Sequence, residues 1–141
     1  MKLLSPIARL EGVRTLLAYV AHKELKVYQM DVKLTFLNGI MEEEVYIEQP
    51  EGFVDLNKKN MVCKLGKGLY SLKKSPRAWY ERFHNYLIKI GFQRTNDNKN
   101  LYIKEGLDKK IILVEIFVDD IGFTRNDDLY KSFLEEMSKY F

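Results

Sequence analysis

The segment 116–121 carries an apolar strand into two adjacent aspartates, Asp119 and Asp120. Two carboxylates this close repel each other unless a cation compensates their charge. Ligation by oxygen atoms alone suits magnesium. The alternative is a solvated hairpin tip, because aspartate is common in turns, and this segment alone favours that alternative.

A third carboxylate, Asp31, ends another apolar strand, which is predicted over residues 25–32. Neighbouring strand residues point to opposite faces, so one aspartate of the pair can face Asp31 while the other supports it from the flank. Carboxylates from separate strands could bridge two divalent ions about 3.5–4 Å apart. The alternative for Asp31 is a helix or turn cap. Together the three residues predict a divalent-metal site.

The elements that would position these residues follow from the spacing of apolar side chains. Spacings of three and four predict helices over residues 9–23 and 75–90, and a last helix capped by Asn126. Ser75 is the predicted N-cap of the middle helix, and Gly91 is predicted to end it. Alternating or β-branched segments predict strands at 25–32, 44–48, 61–65, 101–104, 110–118 and 121–124. This order predicts one α+β domain with an antiparallel sheet packed on helices.

Charge is unevenly distributed along the 141 residues, although the net charge is only +3. An acidic segment at 42–55 precedes a basic segment at 58–77 that contains no acid. The basic segment could neutralise phosphates, but most charge runs are only solvated faces. The single cysteine, Cys63, excludes an internal disulfide and is interpreted as a buried strand residue. No apolar stretch is long enough to span a bilayer, so the sequence predicts a soluble intracellular protein.

Several motifs, taken in order, resemble those of copia-type retrotransposon reverse transcriptases. They are Met30-Asp31-Val32-Lys33 with Phe36-Leu37-Asn38-Gly39, the acidic hairpin from Glu42 to Phe53, Val62-Cys63-Lys64-Leu65, Leu69-Tyr70, Pro76-Arg77-Ala78-Trp79-Tyr80 and Phe117-Val118-Asp119-Asp120. The resemblance runs from about Ile7 to Phe141. Long motifs in the right order are specific, whereas a lone aspartate pair is not. Phe117 stands where the family has tyrosine, and Ser71 stands where it has glycine.

The resemblance implies a cofactor. Asp31 and Asp119 would hold two magnesium ions, which manganese could replace, and Asp120 would complete the triad. One ion would lower the pKa of a primer 3′-hydroxyl, and the other would hold the triphosphate and stabilise the leaving pyrophosphate.

The resemblance also implies contacts with substrates. Phe36 would lie under the sugar of the incoming nucleotide, although a core phenylalanine is an equal alternative. Tyr70 and Ser71 would contact that nucleotide. The residues near template or primer phosphates would be Lys73, Lys74 and Arg77, with a plain helix-start residue as the alternative for Arg77. Trp79 and Tyr80 are expected to be packing residues.

The implied function is an RNA-directed DNA polymerase domain of a retrotransposon polyprotein, acting in the cytoplasm on a template-primer and deoxynucleoside triphosphates. Residues 1–141 would form a truncated palm with the acidic hairpin at about 42–65 and incomplete fingers. The thumb and RNase H parts would be missing, so we expect little or no activity from the chain alone. The alternatives are an inactive remnant that at most binds nucleic acid, and a generic α+β domain whose exposed acids bind calcium or protein.

Overall fold

The structure, a computed structural model, describes residues 10–106, 110–118, 120–124 and 127–141, with the backbone alone at 127–129. Its helices and strands, in chain order, are α1 (Leu10–His22), β1 (Val27–Asp31), β2 (Tyr46–Ile47), β3 (Cys63–Lys64), α2 (Ser75–Lys89), β4 (Gln93–Arg94), β5 (Leu101–Glu105), β6 (Ile111–Phe117), β7 (Asp120–Thr124) and α3 (Asp127–Tyr140). Two 3-10 helices lie at Thr35–Asn38 and Leu56–Lys58. Within the described ranges, no helix combines the length and apolar character needed to cross a bilayer.

The strands described by the structure form two antiparallel sheets. The larger sheet has the order β1-β7-β6-β5-β4, and the smaller one pairs β2 with β3. Strand β7 therefore lies between β1 and β6, which the chain order alone does not reveal. The α+β class with an antiparallel sheet is confirmed. The strands predicted at 44–48 and 61–65 are shorter than expected, with two residues each, and β4 was not predicted because two polar residues carry no periodic signal.

The two faces of the larger sheet meet different helices. Apolar residues at alternate positions of β1, β5, β6 and β7 pack with α2 and α3 around an aromatic core. Its fully buried members include Trp79, Phe83, Leu87, Tyr102, Ile112, Val114 and Ile121. On the other face, Leu16 and Val20 of α1 pack on Leu113 near the β5 side. Asp31 and Asp120 belong to this second face, because they alternate with the core residues Met30 and Ile121.

Of four local predictions, two need correction, one is confirmed, and one concerns a residue outside the described ranges. Ser75 is not an N-cap: it is the first residue of α2, and its hydroxyl instead accepts a hydrogen bond from the Leu69 N–H at 2.8 Å. Cys63 is exposed rather than buried, because its two-residue strand belongs to the small sheet. Gly91 follows α2 with φ of 91°, as predicted for a helix-ending glycine. Asn126, the predicted cap of α3, lies outside the described residues.

Candidate active site

Asp31 and Asp120 are direct cross-strand neighbours. Asp31 is the last residue of β1, Asp120 is the first of β7, and the antiparallel register pairs their Cα atoms. Residues opposite each other in such a pair share one face, with Cβ atoms about 4.5–5.5 Å apart. Asp31 is exposed and Asp120 is half-buried. The prediction that one aspartate of the pair faces Asp31 is therefore confirmed for Asp120.

The hairpin between β6 and β7 differs from the alternative given by the sequence, in which both aspartates lie at a hairpin tip. Asp120 does not lie at its tip, because it already belongs to β7 and pairs with Phe117 as well as with Asp31. The strand extends this far because β7 has a partner on both sides. Val118, which follows β6, has φ of 53°. Asp119 lies outside the described residues.

A cation suits the arrangement of these carboxylates. Like charges directly opposite each other in a sheet are destabilising, and a divalent ion that both oxygens bind would remove that repulsion. Among the described residues, no group of three His, Cys, Asp or Glu side chains gathers as a metal site. The predicted triad includes Asp119, which is not among them. The observed pair places two carboxylate-bearing residues opposite each other on neighbouring strands, and carboxylate oxygens are ligands that suit magnesium.

Phe36 and Tyr70 come together from distant parts of the sequence. Their ring centroids are 4.7 Å apart, and Phe36 also packs against the aromatic core. Gly68 allows this approach, because a Cβ there would lie 2.7 Å from the Phe36 carbonyl oxygen. The hydrogen bond from the Leu69 N–H to the Ser75 hydroxyl joins the loop that contains Gly68 and Tyr70 to the start of α2. Its contact with the core agrees with the core-phenylalanine alternative, and the contact with an incoming sugar stays a prediction.

The basic residues predicted to contact nucleic acid have acidic neighbours. Lys74 forms an ion pair with Glu43 of the acidic segment, and both side chains are at least half exposed. Arg77 pairs with Glu81 one helical turn later, with Nε and Oε1 at 2.8 Å. Lys73 and Ser71 are exposed. Exposed pairs of this kind are weak, so a phosphate could replace either carboxylate.

Trp79, predicted as a packing residue, is buried, but its hydrogen bond was not predicted, and Glu115 was not identified from the sequence. The Trp79 indole donates a hydrogen bond from Nε1 to the Val118 carbonyl oxygen at 2.8 Å. Glu115 is fully buried on the face that carries Asp31, and Asn98 donates to its Oε1 at 3.0 Å. Burial raises the pKa of Glu115, against the lowering effect of the Asn98 hydrogen bond. The available signal for Trp79 was general, because a buried indole N–H needs an acceptor.

Comparisons with known proteins bear on this site. A family model described as "Reverse transcriptase (RNA-dependent DNA polymerase)" matches residues 1–141. The chain is 39% identical over 141 residues to the "Retrovirus-related Pol polyprotein from transposon TNT 1-94" of Nicotiana tabacum, an alignment that covers 94% of this chain and 11% of that protein. It is 38% identical over 138 residues to the Pol polyprotein from transposon RE1 of Arabidopsis thaliana, covering 97% of the chain and 9% of the relative.

A yeast relative shows the same similarity in a shorter protein. The chain is 35% identical over 113 residues to a putative transposon Ty5-1 protein of Saccharomyces cerevisiae, covering 79% of the chain and 36% of the relative. No solved structure matches the chain significantly. The chain therefore spans a small part of the relatives it matches, about a tenth of the two plant polyproteins.

The chain with this fold and with the Asp31–Asp120 pair thus matches the reverse transcriptase family along its length. The chain belongs to the copia-type reverse transcriptase family of retrotransposon Pol polyproteins.

Proposed function

We propose that this chain carries the catalytic carboxylates of an RNA-directed DNA polymerase, with Asp31, Asp119 and Asp120 as ligands of two magnesium ions. The observation that carries this proposal is the direct pairing of Asp31 with Asp120 across β1 and β7. Bound magnesium, or manganese in its place, would activate a primer 3′-hydroxyl and stabilise the departing pyrophosphate. The reaction transfers a nucleotidyl group from a deoxynucleoside triphosphate to the primer end.

The protein part of this mechanism is mainly positioning. Asp31 and Asp120 lie on strands whose other faces are packed in the aromatic core, so their backbones are fixed before any substrate binds. This matters because a metal site loses affinity when its ligands must first be ordered. The register of β7 between β1 and β6 is what brings the two carboxylates together.

The incoming nucleotide would meet Phe36, Tyr70 and Ser71. The contact between the Phe36 and Tyr70 rings supports this, because it joins the segment that follows Asp31 to the loop that precedes α2. An aromatic face backed by the core is a rigid surface for a sugar. Tyr70 is more than half exposed, so a ligand can reach it.

The template-primer would meet Lys73, Lys74 and Arg77. All three lie at or just before the start of α2. Binding of phosphate there would compete with Glu43 for Lys74 and with Glu81 for Arg77. We therefore expect salt-dependent binding of nucleic acid by this surface.

In this proposal the larger sheet with α2 and α3 is the polymerase palm, and the segment 42–65 with the β2–β3 pair is the acidic hairpin beside it. All 141 residues would belong to one reverse transcriptase domain. The thumb and RNase H parts of a parent polyprotein would supply the remaining grip on the duplex.

Primer extension on an RNA template, with magnesium or manganese, tests the proposal. Asp31→Asn and Asp120→Asn remove ligand charge at nearly constant volume, and we expect extension to fall below detection in both. Asp97→Asn is the matched control, because Asp97 is an exposed aspartate in a loop and belongs to neither β1 nor β7. Full extension by the Asp31→Asn variant would overturn the proposed site.

A folded chain that shows no extension would instead favour the inactive remnant. In that case, salt-sensitive RNA binding weakened by Lys74→Ala would show that the nucleic-acid surface persists without turnover. The ion pairs of Lys74 and Arg77 predict weak binding for such a remnant.

A further inference from the structure

We propose that Trp79 is a positioning residue that holds the turn before the aspartate pair; this inference rests on the proposed function. Trp79 is 1% exposed, and its ring packs against those of Phe83 and Phe141. From this fixed position its Nε1 donates to the carbonyl oxygen of Val118, 39 residues further along the chain. The bond joins α2 directly to the hairpin that precedes Asp120.

Val118 needs such support. Its φ of 53° lies in the left-handed region, which is strained for an L-residue and is least suited to a β-branched side chain. The Val118 side chain is 46% exposed, so burial offsets little of that cost. The conformation is therefore maintained by backbone interactions: the pairing of Phe117 with Asp120 on either side of the turn, and the bond from Trp79.

The bonded atom has a direct effect on chain direction. The Val118 carbonyl is part of a planar peptide group, so fixing its oxygen fixes ψ of Val118. That angle restrains the path of the chain at the start of the turn, directly after β6. A hydrogen bond on this oxygen thus adds to the strand pairing that holds Asp120 opposite Asp31, with no contact between Trp79 and either carboxylate required.

The backbone of Trp79 is also closely packed on its other side. A Cβ at Gly39 would lie 2.7 Å from the Trp79 amide nitrogen. Gly39 directly follows the 3-10 helix that contains Phe36. Trp79 therefore lies between the proposed nucleotide-contact segment and the aspartate hairpin, and it can keep the two in register.

The test uses Trp79→Phe, which keeps an aromatic ring and removes the N–H. Tyr80→Phe is the matched control: it is the next residue of the same helix, and it also loses a hydrogen bond to a backbone carbonyl, that of Lys99 at 2.6 Å. We expect Trp79→Phe to weaken Mn²⁺ binding and lower kcat by about tenfold, the equivalent of one hydrogen bond, with KM for the nucleotide little changed. Tyr80→Phe should leave both quantities near wild type.

Two further variants separate positioning from packing. Val118→Gly in the Trp79→Phe background should restore part of the Mn²⁺ affinity and kcat, because glycine adopts positive φ without strain but does not replace the restraint on ψ. Trp79 is the sole tryptophan, so it can also be replaced throughout by 3-benzothienylalanine, which keeps the bicyclic shape without the N–H. This analogue keeps the test decisive if Trp79→Phe fails to fold, and we expect it to reproduce the tenfold loss.

The outcomes distinguish this inference from the function on which it rests. Wild-type affinity and kcat in both Trp79 variants, with Mn²⁺ binding still lost in Asp31→Asn, would overturn the role of Trp79 alone. Equal losses in Trp79→Phe and Tyr80→Phe, without rescue by Val118→Gly, would reduce that role to general stability and also overturn it. A wild-type chain that shows no Asp31-dependent Mn²⁺ binding would overturn both proposals.

Discussion

The larger sheet and the hairpin segment (residues 42–65) are held together in different ways. The sheet packs against α2 and α3 through an aromatic core, in which Phe83 is fully buried between the rings of Trp79 and Phe141. The hairpin segment has only two residues in each strand, and most of its large apolar side chains are exposed, with Phe53 at 85% and Leu56 at 74%.

Polar contacts determine the conformation of the hairpin segment. The Gln49 side chain donates to the carbonyl oxygens of Lys58 and Met61 and accepts from the Asp55 N–H. Ion pairs join Glu44 to Lys64 within the hairpin and Glu43 to Lys74 outside it. The difference shows that Asp31 and Asp120 occupy the part of the molecule stabilised by burial, whereas the hairpin segment is held by local polar contacts that exchange with solvent.

The largest expected effect is on the unfolding free energy, which a core substitution should lower far more than a substitution in the hairpin segment. Phe83→Ala leaves a cavity in the core and should cost about 3–5 kcal/mol of unfolding free energy. Phe53→Ala, its matched control in the hairpin segment, should change that free energy by less than about 0.5 kcal/mol. Urea unfolding of both variants measures the contrast, and similar costs would show that Phe53 is buried in solution.

A smaller effect concerns Glu115, a buried carboxyl on the sheet whose Oε2 has no hydrogen-bond partner among the described residues. Its pKa is raised by burial above the ordinary 4.5, so the folded state keeps the proton to higher pH than the unfolded state. Stability should then fall as the pH rises from about 4.5 through the folded-state pKa.

Replacing Glu115 should remove this dependence. We expect Glu115→Gln to stabilise the protein by about 1–2 kcal/mol at pH 8 and hardly at all at pH 4, because its amide carries no charge. Thermal unfolding across this pH range measures the change, with the exposed Glu105→Gln as control. An unchanged pH profile in the variant would rule out Glu115 as its cause.

In the hairpin segment, the comparable polar residue is Gln49. Gln49→Ala removes three hydrogen bonds but should lower the stability by only about 1 kcal/mol, because the loop is solvated. The effect should be local: faster hydrogen exchange at the Asp55 amide, with unchanged exchange in β6. Gln93→Ala, at an exposed strand position, is the control. Faster hydrogen exchange throughout the larger sheet in Gln49→Ala would contradict the separation of the two regions.

The smallest effect on stability is expected at the ion pair between the two regions. Glu43→Gln should change the unfolding free energy by less than about 0.5 kcal/mol, as for other exposed pairs. It should nevertheless tighten RNA binding, because Lys74 no longer has that carboxylate as a competitor for phosphate. Lys74→Ala should do the reverse and reduce the slope of log affinity against log salt by about one.

Fluorescence anisotropy with labelled RNA at several salt concentrations measures both changes. Glu51→Gln removes one exposed acid from the same segment without this ion pair and controls for net charge. Equal tightening by Glu43→Gln and Glu51→Gln would show that net charge, rather than the pair, governs binding.

Much of the fold could be predicted from local pattern. The three helices of the described chain and strands β1, β5, β6 and β7 have strong apolar periodicity, and all were predicted to within a few residues. The N-cap prediction for Ser75 was wrong because its hydroxyl can accept from two kinds of donor. These are the N–H groups of its own helix and the N–H of Leu69, which only the folded loop brings near. The predicted burial of Cys63 was wrong because strand propensity does not reveal whether a strand joins the large sheet or an exposed hairpin.

The sequence by itself determined the family and the identity of the acidic residues, because ordered motifs and the ends of apolar strands are local properties. It placed Asp31 and the aspartate pair at strand ends, but it left open which aspartate would face Asp31. The tertiary structure decided this for Asp120, since register depends on which strands pair. It also decided that the Trp79 indole meets the Val118 carbonyl, because residues 39 apart in sequence become neighbours only when α2 packs on the sheet.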